Sequence, residues 1–479
     1  MFISRLPQLI FSTVTTLIAL TCVTASASVP NPTITPFHSD MEEKTRPFIS
    51  AMIDLESYGY IEQEFAISGT GNSYDKEGAW KSDGQWEKKL AQSHIPYKTR
   101  MLVRRPENPE DFNGVVIVEW LNNTAFMDVD VIWTQSHKEI IRSGYAWVGV
   151  TVQSLGVGFL RAWDKQRYGD FTQRNDALSY EIFSQAGKAI REQNQLILGG
   201  MEAETLLGVG ESQSAVRLTT YINAFQEEAR EVYDGMLVYS RFPLSSPLKN
   251  GIAMLAPSKV HIREDNTLKV IQLLTEQDVF MFQFRLARQA DNESLRTWEI
   301  PGASHYDNYG VSKLLPQYQR EFPALSELQV TCKNSTNLMP QRYLVNTALD
   351  SLHNWVENGI APPQAEPIEY RFFRVVRDQH GNARGGVRLP DIEVPVARHN
   401  YANYGWFGPG SYFVANAFAC LFLGNTVPFS QDKLLQLYPS HENYVEQYTD
   451  AAKAALEAGF LLPLDYEEAV ANAQQAPIP

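Results

Sequence analysis

Gly210-Glu211-Ser212-Gln213-Ser214 is the segment of this chain with the clearest chemical potential. A serine hydroxyl becomes a nucleophile when a base takes its proton and the backbone holds it clear of its surroundings. A tight turn from strand to helix presents it that way, with strained backbone angles on the serine. Strand and helix backbones then approach closely, so the positions two before and two after the serine must be small. Gly210 meets the first condition, and Ser214 stands where glycine is commonest. The flanks fit as well. Thr205 to Gly210 is a short apolar strand, and a helix is expected to run on through about Phe225. Ser212 is therefore the expected nucleophile; the competing reading is an ordinary serine at a helix N-terminus.

Such a serine needs a base, and the base needs an orienting acid. Where a nucleophile sits on a strand–helix elbow, the chain order is serine, acid, histidine. The apolar strand Val270 to Leu274 ends in Thr275-Glu276-Gln277-Asp278, which offers two carboxylates. Asp278 lies further into the turn and is preferred, with Glu276 as the alternative. The next strand ends in Trp298-Glu299-Ile300-Pro301-Gly302-Ala303-Ser304-His305, a glycine-containing loop closing on a histidine. His305 is the expected base; His261, His353 and His399 have weaker contexts. An oxyanion hole requires two backbone N–H donors. Gln213, directly after the serine, is expected to supply one. Asn122, in the loop after the strand Val115 to Trp120, is expected to supply the other, with Asn123 close behind. Asn122-Asn123-Thr124 is also a glycosylation sequon, and a glycan there would block the site.

The elements that must position these residues alternate. Strands are expected at Tyr60–Ser68, Tyr97–Arg105, Val115–Trp120, Tyr145–Val152, Thr205–Gly210, Gly235–Tyr239, Lys269–Leu274 and Leu295–Ile300. Helices are expected at Val131–Ser143, Ser179–Gln195, the stretch after Ser212, and near Phe280–Gln289. The segment 28–58 reads as an entry piece with one amphipathic helix, and the polar stretch between the first two strands reads as an insertion. Alternating strands and helices point to an α/β fold with a mostly parallel sheet covered on both faces. From about 331 to 479 the pattern changes. A helix at Tyr343–Asn358, a break at Ala361-Pro362-Pro363, a glycine-bearing polar stretch and a helical end broken at Pro439 suggest a C-terminal subdomain packed on the core.

The 479 residues are 44% hydrophobic, enough for a large core. With 41 Lys and Arg against 55 Asp and Glu and no basic tract, nucleic acid is not an expected partner. Met1–Arg5, the apolar stretch Leu9–Ala25 and Ala25-Ser26-Ala27 read as a cleavable signal peptide over 1–27, so the protein is expected to be secreted or periplasmic. No later run is apolar enough to span a bilayer. Cys22 leaves with the signal. Cys332 and Cys420 remain, either as a disulfide suited to an oxidising compartment or as two buried thiols. Neither H-E-x-x-H nor a glycine-rich dinucleotide fingerprint occurs, so no cofactor is expected.

Several motifs together resemble a known family. They are Val118-Glu119-Trp120-Leu121-Asn122, Gly210-Glu211-Ser212-Gln213-Ser214-Ala215, Thr275-Glu276-Gln277-Asp278-Val279 and Trp298-Glu299 with His305. Gly385-Gly386-Val387-Arg388-Leu389-Pro390 and Leu437-Tyr438-Pro439-Ser440-His441 add to them. The set is similar to exported bacterial alpha/beta hydrolase domain-containing proteins, over nearly the whole of residues 28–479. The resemblance implies an α/β-hydrolase fold with a core over 28–330 and a Ser212–Asp278–His305 triad, and it implies no particular substrate. The expected activity is hydrolysis of small or medium carboxylic esters. A peptidase or amidase on the same triad, or a binding protein that kept the fold, are the alternatives.

Overall fold

The computed structural model describes residues 28–37, 46–251, 253–325, 330–372, 374–404 and 419–478. The expected signal segment, its cleavage site and Cys22 lie outside the described residues. A nine-stranded sheet forms the centre. Its strands are β1 (Thr33–Pro36), β2 (Tyr60–Glu77), β3 (Glu87–Pro106), β4 (Val115–Trp120), β5 (Ala146–Val150), β6 (Thr205–Glu211), β7 (Gly235–Tyr239), β8 (Lys269–Thr275) and β9 (Leu295–Ile300). Their spatial order is β1-β2-β3-β5-β4-β6-β7-β8-β9. The β1, β2 and β3 strands pair antiparallel, as do β3 and β5. From β5 through β4 to β9 every pairing is parallel.

The parallel strands are mostly apolar because both faces are covered, with polar residues such as Glu119, Gln272 and Glu299 among them. Ile117, Leu207, Val209, Leu237, Ile271 and Leu273 face one layer, where they meet helices α1 (Val131–Arg142) and, much later in the chain, Gln341–Asn358. Val116, Val118, Leu206, Met236, Val238 and Val270 face the other, against α2 (Ser179–Glu192) and α3 (Gln213–Ala224). Each such buried side chain contributes about 1.5–3 kcal/mol.

The described residues of 28–58 hold β1 and the single turn Glu56–Tyr58, and Phe48 and Ile49 plug the core; residues 38–45 of the segment expected to carry an amphipathic helix lie outside the described residues. Two expectations need correction. The polar stretch between the first two strands is no insertion but the outer half of a long β2–β3 hairpin. Its strand character is masked because its exposed faces are polar, while Trp80 and Trp86 stack at 4.3 Å to close the end. The helix expected near Phe280–Gln289 is two short turns, Glu276–Phe280 and Phe284–Ala287, interrupted by Gln283 in the left-handed region (φ 66°). Helices beyond residue 330 pack on the sheet. Leu344, Ala348 and Leu352 of the helix Gln341–Asn358, and Tyr448 and Ala452 of His441–Glu457, join the same apolar cluster as the sheet.

The loop after β4 is held by buried charge. Arg100 on β3 meets Glu64 at 2.8 Å and Asp128 at 3.2 Å. Four residues on, and so on the same face, Arg104 meets Glu62 at 2.8 Å and Asp130 at 2.7 Å. The Arg104 guanidinium lies 4.4 Å from the ring centroids of both Trp133 and Trp147. Asp128 also accepts from the Asn123 side chain (2.8 Å), and Glu119 accepts from the first N–H groups of α1 at Ile132 (3.0 Å) and Trp133 (3.3 Å). Both ends of the Leu121–Asp130 loop are thereby pinned. Arg104→Met should cost about 3–5 kcal/mol in urea denaturation, because it leaves Asp130 buried without its counter-charge. A loss under about 1 kcal/mol would show that the pair is not needed.

Candidate active site

Ser212 joins β6 to α3 with φ 56° and ψ −117°, the strained geometry expected of an elbow. Its N–H donates to the Tyr239 carbonyl (2.9 Å), and its own carbonyl accepts from Val216 (3.1 Å), so the turn is bonded on both sides. A Cβ on Gly210 would stand 3.0 Å from the Ser214 Cβ and 3.0 Å from Leu218 Cδ1. That close approach is the reason both positions are small.

The structure brings Ser212, His305 and Asp278 together. Ser212 Oγ lies 2.8 Å from His305 Nε2, and His305 Nδ1 lies 2.6 Å from Asp278 Oδ1. The other Asp278 oxygen accepts from the Thr275 N–H (2.7 Å), and Thr275 Oγ1 accepts from the Asp278 N–H (3.2 Å). This capping box fixes the carboxylate at the end of β8. Glu276 does a different job. Buried beside Asp278, it accepts from the Gly302 N–H (2.7 Å) and pairs with Arg377, steadying the loop that carries His305. Of the other histidines, His353 bonds Tyr145 and Glu357, and His399 bonds Thr426.

One oxyanion assignment is overturned. The Asn122 backbone N–H donates to the Val129 carbonyl (3.0 Å) in a small bridge that closes the loop, so it is not free to face a substrate. Its side chain instead donates to the Glu211 carbonyl (2.9 Å) and to Glu211 Oε2 (3.1 Å), tying the loop to the elbow. Asn122 is buried, 4% exposed. Among the described residues the Asn123 N–H has no acceptor. Gln213 opens α3, so its N–H has no partner within the helix.

Glu211 is the site residue that the sequence reading passed over. Its Oε1 lies 3.4 Å from His305 Nε2, and it is buried. Burial pushes its carboxyl up to about 8, with Asp278 adding to the rise and His305 opposing it. The signal was its place inside the elbow, a carboxylate directly before the nucleophile. Around the imidazole stand Phe242, Phe282 and Phe422, with ring centroids 6.0, 5.1 and 5.1 Å from it. Burial works against the imidazolium of His305, yet Asp278 and Glu211 outweigh it and the group is raised above its ordinary value. Cys332 and Cys420 are joined in a disulfide with Cα atoms 5.6 Å apart. No group of three or more His, Cys, Asp or Glu side chains among the described residues is arranged to hold a metal, and no described helix is long and apolar enough to cross a membrane.

A family model described as an alpha/beta hydrolase domain matches residues 29–471. The chain belongs to this family. The hydrolase sheet runs from β1 to β9, with Ser212 at the C-terminal end of a central strand. No curated protein matches the chain. Solved structures similar to this hydrolase include one of two fungal esterases from Rhizomucor miehei, at 12% identity over 58% of this chain and 91% of that one (TM-score 0.29). Another is the esterase Est22, at 12% identity over 53% and 77% (TM-score 0.29). A third is an alpha-beta serine hydrolase homologue from Coxiella burnetii, at 10% identity over 48% and 92% (TM-score 0.29). Likenesses this low carry no argument; membership rests on the family match.

The electrostatics set a pH profile for any reaction that uses neutral His305. Because its imidazolium is favoured in the fold, activity should rise with pH through a midpoint above the ordinary histidine value of about 6.5. Above about pH 8 Glu211 ionises and puts a second negative charge near Nε2, which favours the imidazolium again and flattens the rise. Glu211→Gln should keep more than about a tenth of the activity at pH 7 and continue rising past pH 8. Rate profiles of both proteins on one ester test this; superimposable curves would remove Glu211 from the electrostatics of the base.

Proposed function

We propose that the protein is a carboxylic ester hydrolase that works through an acyl-enzyme on Ser212, with His305 as base and Asp278 as its orienting acid. The observation that carries this reading is the bonded line Ser212 Oγ–His305 Nε2–His305 Nδ1–Asp278, at 2.8 and 2.6 Å, on a strained elbow. Ser212 Oγ attacks the ester carbonyl as its proton passes to Nε2. The negative charge that develops on the carbonyl oxygen is met by the N–H of Gln213 and, in place of Asn122, that of Asn123. His305 then returns the proton to the departing alkoxide. A water molecule repeats the sequence in reverse, with His305 taking its proton, and releases the acid and free Ser212.

Asp278 favours the tautomer with hydrogen on Nδ1, which leaves Nε2 free to accept from the serine. The apolar rings of Phe242, Phe282 and Phe422 suit an uncharged ester of small or medium size. We further infer that residues 1–27 direct export, so that the enzyme meets its substrate outside the cytoplasm.

Ser212→Ala should lower kcat on the order of a million-fold with the fold retained by circular dichroism. More than about a tenth of the wild-type rate would exclude the acyl-enzyme. Asp278→Asn should lose roughly ten-thousand-fold, because the amide can reverse the tautomer. Glu276→Gln should lose far less, since its partners are Gly302 and Arg377 rather than the imidazole. Turnover of a graded panel of nitrophenyl esters by the three variants decides both points, and the opposite order would make Glu276 the acid.

A further inference from the structure

We propose that Gln277 and Phe422 are positioning residues for His305, and that the Cys332–Cys420 disulfide fastens them, so that the hydrolase is fully active only when oxidised. This rests on the ester-hydrolase reading above.

The short segment after Cys420 lies directly on the loop that carries the histidine. Three successive carbonyls do the docking. Leu421 accepts from the Gln277 side chain, Phe422 from the Tyr306 N–H (3.0 Å), and Leu423 from the Asn337 N–H (2.9 Å). Gln277 works in both directions, because its Oε1 accepts from the His305 N–H (2.7 Å). A single side chain next to Asp278 therefore joins the histidine backbone to the C-terminal segment. The Phe422 ring lies 5.1 Å from the imidazole and 5.5 Å from Phe282, completing the wall that keeps His305 from water. Two residues before Phe422, Cys420 is buried and bonded to Cys332 across 88 residues of sequence. Cys332 is partly exposed, so a thiol can reach the bond.

Opening the disulfide frees the end of this segment. A dithiol delivers two electrons and two protons to the S–S bond, leaving two cysteine thiols and an oxidised dithiol. Phe422 and the Leu421 carbonyl then keep their hydrogen bonds and packing but lose the covalent tie at Cys420. Misplacing a reacting group by about 1 Å costs on the order of a hundredfold in rate, so even a small movement of the His305 loop is measurable. Loss of the Phe422 wall also admits water to the imidazole. The titratable groups around it are Asp278, Glu211, Tyr306 and Asp307, and the aromatic wall itself is uncharged. Relief of burial with Asp278 still in place raises the histidine further, which moves the acid limb to higher pH.

The test uses the folded protein with and without dithiothreitol, with free thiols counted, and the variants Phe422→Leu and Gln277→Met kept oxidised. Reduction should lower kcat at least about tenfold, move the acid limb upward and be reversed on reoxidation. Phe422→Leu should reproduce the shifted limb without reduction. Gln277→Met should lower kcat with KM little changed, and Phe422→Tyr should restore most of the activity lost in Phe422→Leu. An unchanged rate and pH limb with two thiols counted would overturn the proposal, as would wild-type profiles in both Phe422→Leu and Gln277→Met. Labelling by a fluorophosphonate separates the two readings. Oxidised protein that fails to label at Ser212 overturns the hydrolase reading and this one with it, whereas full labelling at the same rate in both redox states overturns this proposal alone.

Discussion

The close approach of β6 and α3 is the constraint on which the rest of this molecule depends. Their backbones meet so tightly at Gly210 and Ser214 that a single added methyl on Gly210 would stand 3.0 Å from two neighbouring carbons. That contact forces Ser212 into the left-handed region and lifts its hydroxyl out of the turn. The strain on Ser212 persists because its surroundings over-determine it: β6 lies between β4 and β7, and α3 is buried along its length.

Around that fixed point the polar groups form a connected set. The Asn122 side chain ties the loop after β4 to the Glu211 backbone and carboxyl, and Asp128 and Asp130 anchor the far end of the loop to Arg100 and Arg104. Across the site, the Thr275–Asp278 box fixes the acid, and Glu276 and Gln277 each bind the backbone of the loop that carries His305. Three consecutive side chains after β8 therefore bear on one histidine: Asp278 on its ring, Gln277 on its N–H, and Glu276 on Gly302. Their burial makes each bond strong and makes each lost partner costly.

The C-terminal third takes part in this arrangement. Its helix Gln341–Asn358 covers one face of the sheet, and Gln341 bonds both Tyr239 and the Ser304 carbonyl beneath the site. Phe422 supplies part of the histidine's apolar wall. A change in pattern near residue 331 is visible in the sequence, but the packing continues across it because the sheet needs a helix on that face.

The sequence alone determined the central strands, the elbow at Ser212 and the order serine, acid, histidine. Those features are local. A buried parallel strand must be largely apolar, a tight elbow must be flanked by small residues, and a turn after a strand must carry its polar group at a set distance. The hairpin joining β2 and β3 escaped the reading because its exposed faces are polar, so period and composition did not separate it from a loop. Only the tertiary structure shows that Asp278 bonds the imidazole and Glu276 does not, because the two buried acids stand two residues apart and their partners, His305 and Gly302, arrive from another strand. It also replaced Asn122 by Asn123 as an available donor, since the competitor for the Asn122 N–H is a carbonyl seven residues further on, across a loop whose closure no local pattern specifies. The role of Glu211 was hidden for a related reason: its ionisation is set by burial and by neighbours from three different segments, which are brought together only when the sheet has formed.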